Sequence, residues 1–358
     1  MSRLKRFLSL LMVLSLAFYM TGCAPKTTTP PEPTEKTIKI ENDVPLIGFG
    51  TGTVGGSGGE IVVVSTYTQF YEAVKKDDDS PRIVLVDGTI QWDPSYVDID
   101  PTYSNIINIG SNKTILGLGE GATIDGLTLR IGSSSGSKEQ IVMRNLIFDN
   151  APDDNVTIQY TSTLVWIDHC TFRAAADSNV DIIRQSNNIT LSWNKFENVG
   201  AKGVSIVGSS DTMTADADYL RVTYHHNWFN QTAGRNPRVR FGIIHIFNNL
   251  YSGITTGIVS TTYARTLVEK NYFDTVSTPT SITSGTSPAG YIVLSKEDPE
   301  NGDSNVYVGS GSPVKNLPPT ISDIQTWIPY SYSPDNPNDI PSIVQNGAGA
   351  GKIIVKYE

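Results

Sequence analysis

The chain has 358 residues, of which 39% are hydrophobic and 18% charged, a composition typical of a folded domain that faces water. Its formal net charge of −9 argues against nucleic acid as the partner, because phosphate binding needs a positive field. Any anionic partner would need a site that is locally positive or that holds a cation. If Cys23 is consumed by processing, Cys170 has no disulfide partner and is expected to be a small buried hydrophobe.

The first 23 residues are predicted to be an export signal. A positively charged start precedes an apolar stretch, residues 7–20, that is too short for a comfortable membrane span. The sequence MTGC at 20–23 resembles a bacterial lipobox, which predicts lipidation of Cys23 and a place at the cell surface; secretion with release is the alternative. Residues 24–41 are rich in Pro and Thr and are expected to form an extended tether, leaving 42–358 as one folded domain.

Short β-rich runs dominate the rest of the chain. One short helix is predicted over 67–76, with Thr66 or Thr68 as its cap. The predicted strands share short length and enrichment in β-branched and aromatic residues. They cover residues 61–64, 83–86, 114–118, 140–143, 164–167, 189–192, 220–224, 243–247 and 266–268.

The spacing of these runs predicts the fold. Each of six strands leads through a polar turn to an apolar anchor, and the anchors are separated by 25, 24, 33, 22 and 22 residues. The anchors are Ile147, Phe172, Phe196, Phe229, Tyr251 and Phe273. An asparagine stands two positions before five of them, at Asn145, Asn194, Asn227, Asn249 and Asn271, and Cys170 takes that place before Phe172.

A constant period in the low twenties with a turn residue at fixed phase is typical of a solenoid. A leucine-rich repeat would need its own consensus, and a β-sandwich would show no phased asparagine. We therefore predict an all-β, single-domain, right-handed parallel β-helix with a short N-terminal capping helix. The spacing of 33 marks one coil with an insertion, residues 209–218, which is expected to project as a loop beside a binding cleft.

Four charged residues recur once per predicted coil. They are Asp154, Asp177, Lys202 and Arg235, each about one coil after the last. Because adjacent coils lie about 4.8 Å apart, these side chains are expected to form a stripe of roughly 15 Å on one face.

Three carboxylates on or near this stripe, Asp154, Asp177 and Asp181, could form an oxygen cage for a hard cation, with Asp153 as an additional candidate. In a straight strand Asp177 and Asp181 would stand about 13 Å apart, so a bulge or turn must bring them together. Exposed, solubilising acids are the alternative interpretation.

Three arginines, Arg235, Arg238 and Arg240, lie within the segment GRNPRVRFG. Arg238 and Arg240 alternate with apolar Val239 and Phe241, so they should share an outward face. Clustered guanidinium groups suit bidentate binding of carboxylates, which makes all three candidates for substrate binding. A solvated cationic strand edge is the alternative.

Four segments stand in a fixed order along these coils: VWIDHC (165–170), SWNKF (192–196), YHHNWF (224–229) and GRNPRVRFG (234–242). They resemble signatures of the pectate lyases, family 1 of the polysaccharide lyases. The resemblance extends over nearly everything after residue 44. It includes GFGTGTVGGSGG (48–59), NKTILGLG (112–119) and AGAGK (348–352).

The resemblance implies calcium-dependent β-elimination in acidic polygalacturonan, which leaves unsaturated sugar ends. It implies that Asp154, Asp177 and Asp181 bind Ca²⁺, and that the partner is a plant cell-wall polysaccharide. We also expect a monomer. The retained acids favour unesterified polygalacturonate over methyl-esterified pectin, the substrate of a pectin lyase that needs no calcium.

The resemblance further implies that Arg235 is the base that removes the C5 proton, while Lys202 and Arg240 hold the substrate carboxylate. Arginine gives up its proton reluctantly, so we expect an alkaline optimum. Two other classes stay open on the residues alone. One is a β-helix glycoside hydrolase that uses Asp177 and Asp181 with a water, and the other is a non-catalytic wall-binding β-helix.

Other motifs are expected to be structural. The match to GxGxxG at 50–55 precedes a strand instead of opening a helix, so it predicts a turn-rich cap and no dinucleotide site. Asp168 and His169 have no nucleophile elbow beside them, and the four histidines have no zinc spacing.

Overall fold

The computed structural model describes residues 36–197 and 202–358. The predicted export signal, Cys23 and the tether up to residue 35 lie outside the described residues. The described chain confirms the all-β prediction: three parallel sheets run the length of a β-helix, and successive coils add strands to each sheet in turn. Thr37–Glu358 form one compact unit.

The strands are grouped here by sheet. Sheet 1 has ten strands: Glu60–Val64, Arg82–Val86, Lys113–Gly117, Glu139–Arg144, Thr163–Asp168, Asn187–Ser192, Arg221–His225, Ile243–Phe247, Arg265–Glu269 and Tyr291–Val293. Sheet 2 has nine: Thr89–Gln91, Ala122–Asp125, Leu146–Asp149, Thr171–Phe172, Lys195–Glu197, Trp228–Asn230, Leu250–Ser252, Tyr272–Asp274 and Val306–Val308. Sheet 3 has eight: Ile106–Ile109, Thr128–Ile131, Val156–Ile158, Ser178–Ile182, Gly203–Val207, Arg238–Arg240, Thr256–Thr261 and Thr278–Ser281.

The predicted helix is present and closes the N-terminal end of the core. It spans Tyr67–Val74, so it ends two residues before the predicted boundary, and the Thr66 side chain caps it by accepting a hydrogen bond from the Gln69 amide. Phe70 and Val74 are fully buried against the first coils. The other α-helices are Ser95–Ile99, Ile324–Trp327 and Ile340–Gly347, and 3₁₀ turns occupy Thr214–Asp218, Ile321–Asp323 and Pro337–Asp339. Among the described residues, the structure contains no helix with the length and apolar character of a membrane span.

A ladder of aromatic rings fills the core beneath sheet 2. Successive rings stack with centroids 4.6 to 5.2 Å apart, the spacing of the coils themselves. The ladder consists of Phe148, Phe172, Phe196, Phe229, Tyr251, Phe273 and Tyr307. The predicted anchor Ile147 was therefore wrong by one residue, because Phe148 is the residue that pairs in register with Phe172.

A second ladder, of asparagines, stacks in the turns between sheets 1 and 2. From Asn227 onward, each side-chain oxygen accepts hydrogen bonds from the amide and the side chain of the previous member, at 2.9 to 3.0 Å. The ladder consists of Asn194, Asn227, Asn249, Asn271 and Asn305. Asn145 is not a member: it lies one position out of phase and donates instead to the carbonyls of Gly117 and Gly119.

The two ends of the folded unit meet in a small antiparallel sheet. Ile38–Glu41 pairs with Ile354–Tyr357, so a strand occupies the last four residues of the segment predicted as tether. The glycine-rich segment after it packs on sheet 1, where the Phe49 and Gly50 amides donate to the hydroxyls of Thr223 and Thr190. The GxGxxG match is therefore a surface-covering turn segment, as its context predicts.

Candidate functional site

The four charged residues of the predicted stripe share one structural position. Asp154, Asp177, Lys202 and Arg235 each lie shortly before a strand of sheet 3, in the turn that leads into that sheet from sheet 2. Because the coils stack in register, equivalent turns lie one above another. The structure therefore brings the stripe together on one edge of the β-helix.

Asp153, Asp154 and Asp177 form the acidic cluster of this edge. One oxygen from each lies within 4.8 Å of the others. Asp154 is only 6% exposed; it accepts hydrogen bonds from the Ser178 amide at 3.1 Å and the Thr157 hydroxyl at 2.9 Å. Burial raises the pKa of Asp154 above its usual range, and the charges of Asp153 and Asp177 add to that effect.

Asp181 lies beside this cluster but outside the closely spaced group. It lies in the strand Ser178–Ile182, where it pairs in register with Thr157 and Ile206, whereas Asp177 lies in the turn just before that strand. The turn therefore sets the relation between the two carboxylates. Asp181 Oδ1 accepts a hydrogen bond from the Ile206 amide at 3.2 Å. Burial and the neighbouring charge of Asp154 raise the pKa of Asp181 well above its usual range.

Two cationic side chains converge on Asp177. Lys202 Nζ lies 2.9 Å from Asp177 Oδ2, and Arg235 Nη1 lies 3.5 Å from Asp177 Oδ1. Arg235 Nη1 also donates to the Ser178 hydroxyl at 3.1 Å. Asp177 is thus the residue at which the acidic cluster meets the predicted base and the predicted carboxylate ligand.

Arg238 and Arg240 flank a core-facing Val239, as their alternation predicts. Arg240 is largely buried, and it donates from Nε to Asp211 Oδ1 and from Nη1 to the Gly208 carbonyl, both at 2.8 Å. Arg238 donates from Nη2 to the Ser287 hydroxyl at 3.0 Å.

Asp211, in the inserted loop, was not singled out by the sequence. It accepts hydrogen bonds from the hydroxyls of Ser287 and Thr262 and from Arg240, and these lower its pKa to about 2. Since its partners come from three other segments, their proximity depends on the fold. Asp211 lies in a loop outside the coil repeat, so the periodic pattern gave no signal for it.

The acidic cluster fits a hard divalent cation. All of its donors are carboxylate oxygens, the ligand type that Ca²⁺ prefers. Burial is the main cause of the raised pKa values of Asp154 and Asp181, and the charges of the neighbouring carboxylates raise them further. A divalent cation would relieve that repulsion.

Asp168 and His169 belong to a different part of the molecule. Asp168 is fully buried on sheet 1, where it contacts His169 Nδ1 at 2.5 Å and accepts hydrogen bonds from Arg144 Nε and the Ser192 hydroxyl. Cys170 is also buried, and burial raises its pKa to about 12, which makes its thiol a poor nucleophile. Both observations agree with a structural role for this segment.

Comparison of the sequence and the structure with known proteins identifies relatives of this chain. Residues 44–353 match the family model described as pectate lyase. The pectate trisaccharide-lyase of Thermotoga maritima is 32% identical over 98% of this chain and 97% of its own, and that of Bacillus licheniformis is 33% identical over 87% and 88%. The crystal structure of a pectate lyase from Bacillus sp. N165, in complex with trigalacturonate, superposes with a TM-score of 0.70 at 26% identity, covering 86% of this chain and 99% of that one.

Proposed function

This chain belongs to the pectate lyase family and is a polysaccharide lyase, and we propose that it cleaves polygalacturonate by calcium-dependent β-elimination. The observation that carries the proposal is the convergence on Asp177, where an acidic cluster that fits Ca²⁺ meets Lys202 and Arg235. The trigalacturonate bound to the relative from Bacillus sp. N165 supports the same substrate class.

The residues have distinct roles in this proposal. Lys202 and Arg240 bind the carboxylate of the reacting uronate, and their positive charge stabilises the negative charge that develops next to C5. Arg235 in its neutral form removes the C5 proton and becomes a guanidinium cation. The C5–H electrons form the C4–C5 double bond while the C4–O bond breaks. Water protonates the departing oxygen, and the hydroxide that remains returns Arg235 to its neutral form. Arg238 binds a neighbouring carboxylate. When bound at the acidic cluster, Ca²⁺ would neutralise the uronate carboxylate and so make the adjacent proton easier to remove.

Asp177 links the two halves of this site. Its two oxygens are engaged by Lys202 and Arg235, so a cation that takes one of those oxygens competes with these ion pairs. A substrate carboxylate offers both cationic side chains a replacement partner.

The competing activities predict different products. A hydrolase would incorporate oxygen from water at each cleaved bond and produce saturated ends, whereas a lyase produces one unsaturated end per cleavage and incorporates no such oxygen. Digestion of polygalacturonate in isotopically labelled water, followed by mass spectrometry, separates the two. We expect unsaturated, unlabelled oligogalacturonates; labelled saturated products would contradict the proposal.

The dependence of cleavage on the methyl-esterification of the substrate separates a pectate lyase from a pectin lyase and from a wall-binding protein. We expect faster cleavage of polygalacturonate than of highly methyl-esterified pectin, because Lys202 and Arg240 need a free carboxylate. The reverse preference, with no effect of calcium, would indicate a pectin lyase. Binding without cleavage of either polymer would indicate a wall-binding protein.

We also propose that the protein is exported and acts as a monomer, with a lipid on Cys23. The charged start, the apolar stretch and the lipobox-like MTGC support this. Mass spectrometry of the membrane-associated protein should find a lipid at Cys23, and Cys23→Ser should release the protein; an unmodified, freely secreted wild-type protein would contradict the anchor.

A further inference from the structure

We propose that a groove beside the acidic cluster binds an additional uronate of the same polysaccharide, with Arg184 and Arg130 as its carboxylate ligands. This inference rests on the proposed function, because it assumes a polyuronate chain in the neighbouring site. The groove leads from the acidic cluster towards the N-terminal cap.

The groove is an open cavity of about 360 Å³. Its lining joins the acidic cluster, through Asp153 and Asp154, to polar and cationic residues on the previous coils. A second cavity of about 400 Å³ adjoins it, and both are lined by Tyr160 and Arg184. The pair formed by Tyr160 and Arg184 therefore stands between two accessible spaces, beside the acidic cluster.

Two contacts hold the Arg184 side chain in place, and neither is with an acidic group. Within the described part of the chain, no ion pair neutralises its charge. The centre of its guanidinium lies 4.4 Å from the centroid of the Tyr160 ring, a cation–π contact, and its Nη1 donates to Gln159 Oε1 at 3.3 Å. These contacts fix the plane of the group but leave other N–H donors free for a ligand. A fixed, planar guanidinium is suited to bidentate binding of a carboxylate.

Both members of the pair have a left-handed backbone, with φ of +55° at Tyr160 and +54° at Arg184. Bulky residues rarely adopt this conformation, so the surrounding turns determine where the two side chains point. The ring and the guanidinium are thus presented by rigid coils, and the groove is largely preformed.

Arg130 lies on the same face of the β-helix as the acidic cluster, on an earlier coil. It pairs in register with Thr157, which in turn pairs with Asp181, so Arg130 stands two coils, or about 10 Å, from Asp181. Its Nη2 lies 2.7 Å from Asp153 Oδ2. The outward charges along this face therefore run from Arg130 through the acidic cluster to Arg235. With a cation at the acidic cluster, the row would present positive charge along its length, which matches an extended chain of regularly spaced carboxylates.

The inserted loop contacts the turn that carries Arg184 and lines the second cavity. Asp216 Oδ1 accepts a hydrogen bond from the Gln185 amide at 2.8 Å, directly after Arg184 in the chain, and Met213 lines the second cavity. Residues 209–218 thus hold the turn that carries Arg184 as well as contacting Arg240 through Asp211.

The test compares Arg184→Gln with wild type on purified oligogalacturonates, from the shortest one cleaved up to the polymer. We expect kcat/KM of the variant to match wild type on the shortest oligomer and to fall about tenfold on long chains, the effect of one lost charge-assisted hydrogen bond. Arg173→Gln is the matched control: it removes an exposed arginine that pairs with Glu197, at the end of a sheet 2 strand, and should leave every length unchanged. An equal loss at all lengths, or no loss at any, would overturn the proposal.

A binding measurement separates failure of this inference from failure of the proposed function. Calorimetric titration with a long saturated oligogalacturonate needs no catalysis. If wild type binds the oligomer and Arg184→Gln binds it about tenfold more weakly, the groove is supported even where no unsaturated product forms. Equal affinity of the two proteins would overturn the groove while leaving lyase activity untouched.

Discussion

Arg240 donates a hydrogen bond of 2.8 Å from its Nε to Oδ1 of Asp211, a residue of the inserted loop. The same carboxylate accepts from the Ser287 hydroxyl at 2.6 Å, and Ser287 in turn accepts from Arg238. The loop that lengthens one coil therefore fixes the orientation of two arginines of the proposed substrate site. Asp211 acts as a positioning residue through them.

Replacing Asp211 with Ala should weaken substrate binding more than chemistry. We expect KM for polygalacturonate to rise about tenfold with kcat changed less than threefold, because Arg240 keeps its charge but loses its fixed orientation. Asp218→Asn, an exposed acid of the same loop, is the matched control and should not alter either constant. A fall in kcat with KM unchanged would contradict this role.

Arg235→Lys should abolish most turnover and spare the metal site. Lysine preserves the positive charge but not the geometry that places Nη1 beside Asp177 and Ser178, so we expect kcat to fall at least about 10²-fold. Calcium affinity, followed by calorimetry, should stay within about twofold of wild type. Near-normal kcat in the variant would show that turnover does not need the geometry of the Arg235 guanidinium.

Asp181→Asn should stabilise the calcium-free protein at alkaline pH. The folded-state pKa of Asp181 is raised, so its contribution to stability is present below the ordinary pKa and is lost as pH rises through the raised one. In EDTA at about pH 9, the variant should therefore unfold at a temperature about 1–3 °C higher than wild type. Added Ca²⁺ should raise the Tm of wild type more than that of the variant. A lower Tm of the variant in EDTA would contradict this account of the site.

Asn249→Ala should destabilise the β-helix itself. Asn249 Oδ1 accepts from both the amide and the side chain of Asn227, and the substitution leaves these buried donors unpaired. We expect a loss of about 2–4 kcal/mol in the free energy of unfolding, measured by denaturant titration. Asn301→Ala, in an exposed turn, is the control and should change stability by less than about 0.5 kcal/mol. Equal losses of stability in the two variants would show that the asparagine ladder contributes little to the free energy of unfolding.

The nine strands predicted from the sequence all belong to sheet 1. Their runs of β-branched residues, such as Ile243–Phe247, carry a strong local signal. Strands of sheets 2 and 3 are as short as Thr171–Phe172, and their conformation depends on stacking against the coils above and below. Local sequence therefore revealed one sheet, whereas the coil period revealed the architecture.

The site could be predicted where its residues follow the coil period or stand in a recognisable segment, as Arg238 and Arg240 do, and it was missed in the inserted loop that carries Asp211. Asp154, Asp177, Lys202 and Arg235 were found because each follows the last by one coil, which places them in equivalent turns. Asn305 could also have been predicted, since it stands two residues before Tyr307. It was missed because it follows Asn271 by 34 residues, which is longer than the 22 residues between the preceding pair of asparagines.

The central claim is tested most directly by the near-ultraviolet absorbance of unsaturated product, released from polygalacturonate at alkaline pH by a protein comprising residues 24–358. The account predicts absorbance that rises steadily with added Ca²⁺ and stops when EDTA is added, because the cluster of Asp153, Asp154 and Asp177 then lacks its cation. Folded protein that releases no unsaturated product with Ca²⁺ present, or that releases it equally fast in EDTA, would contradict the account.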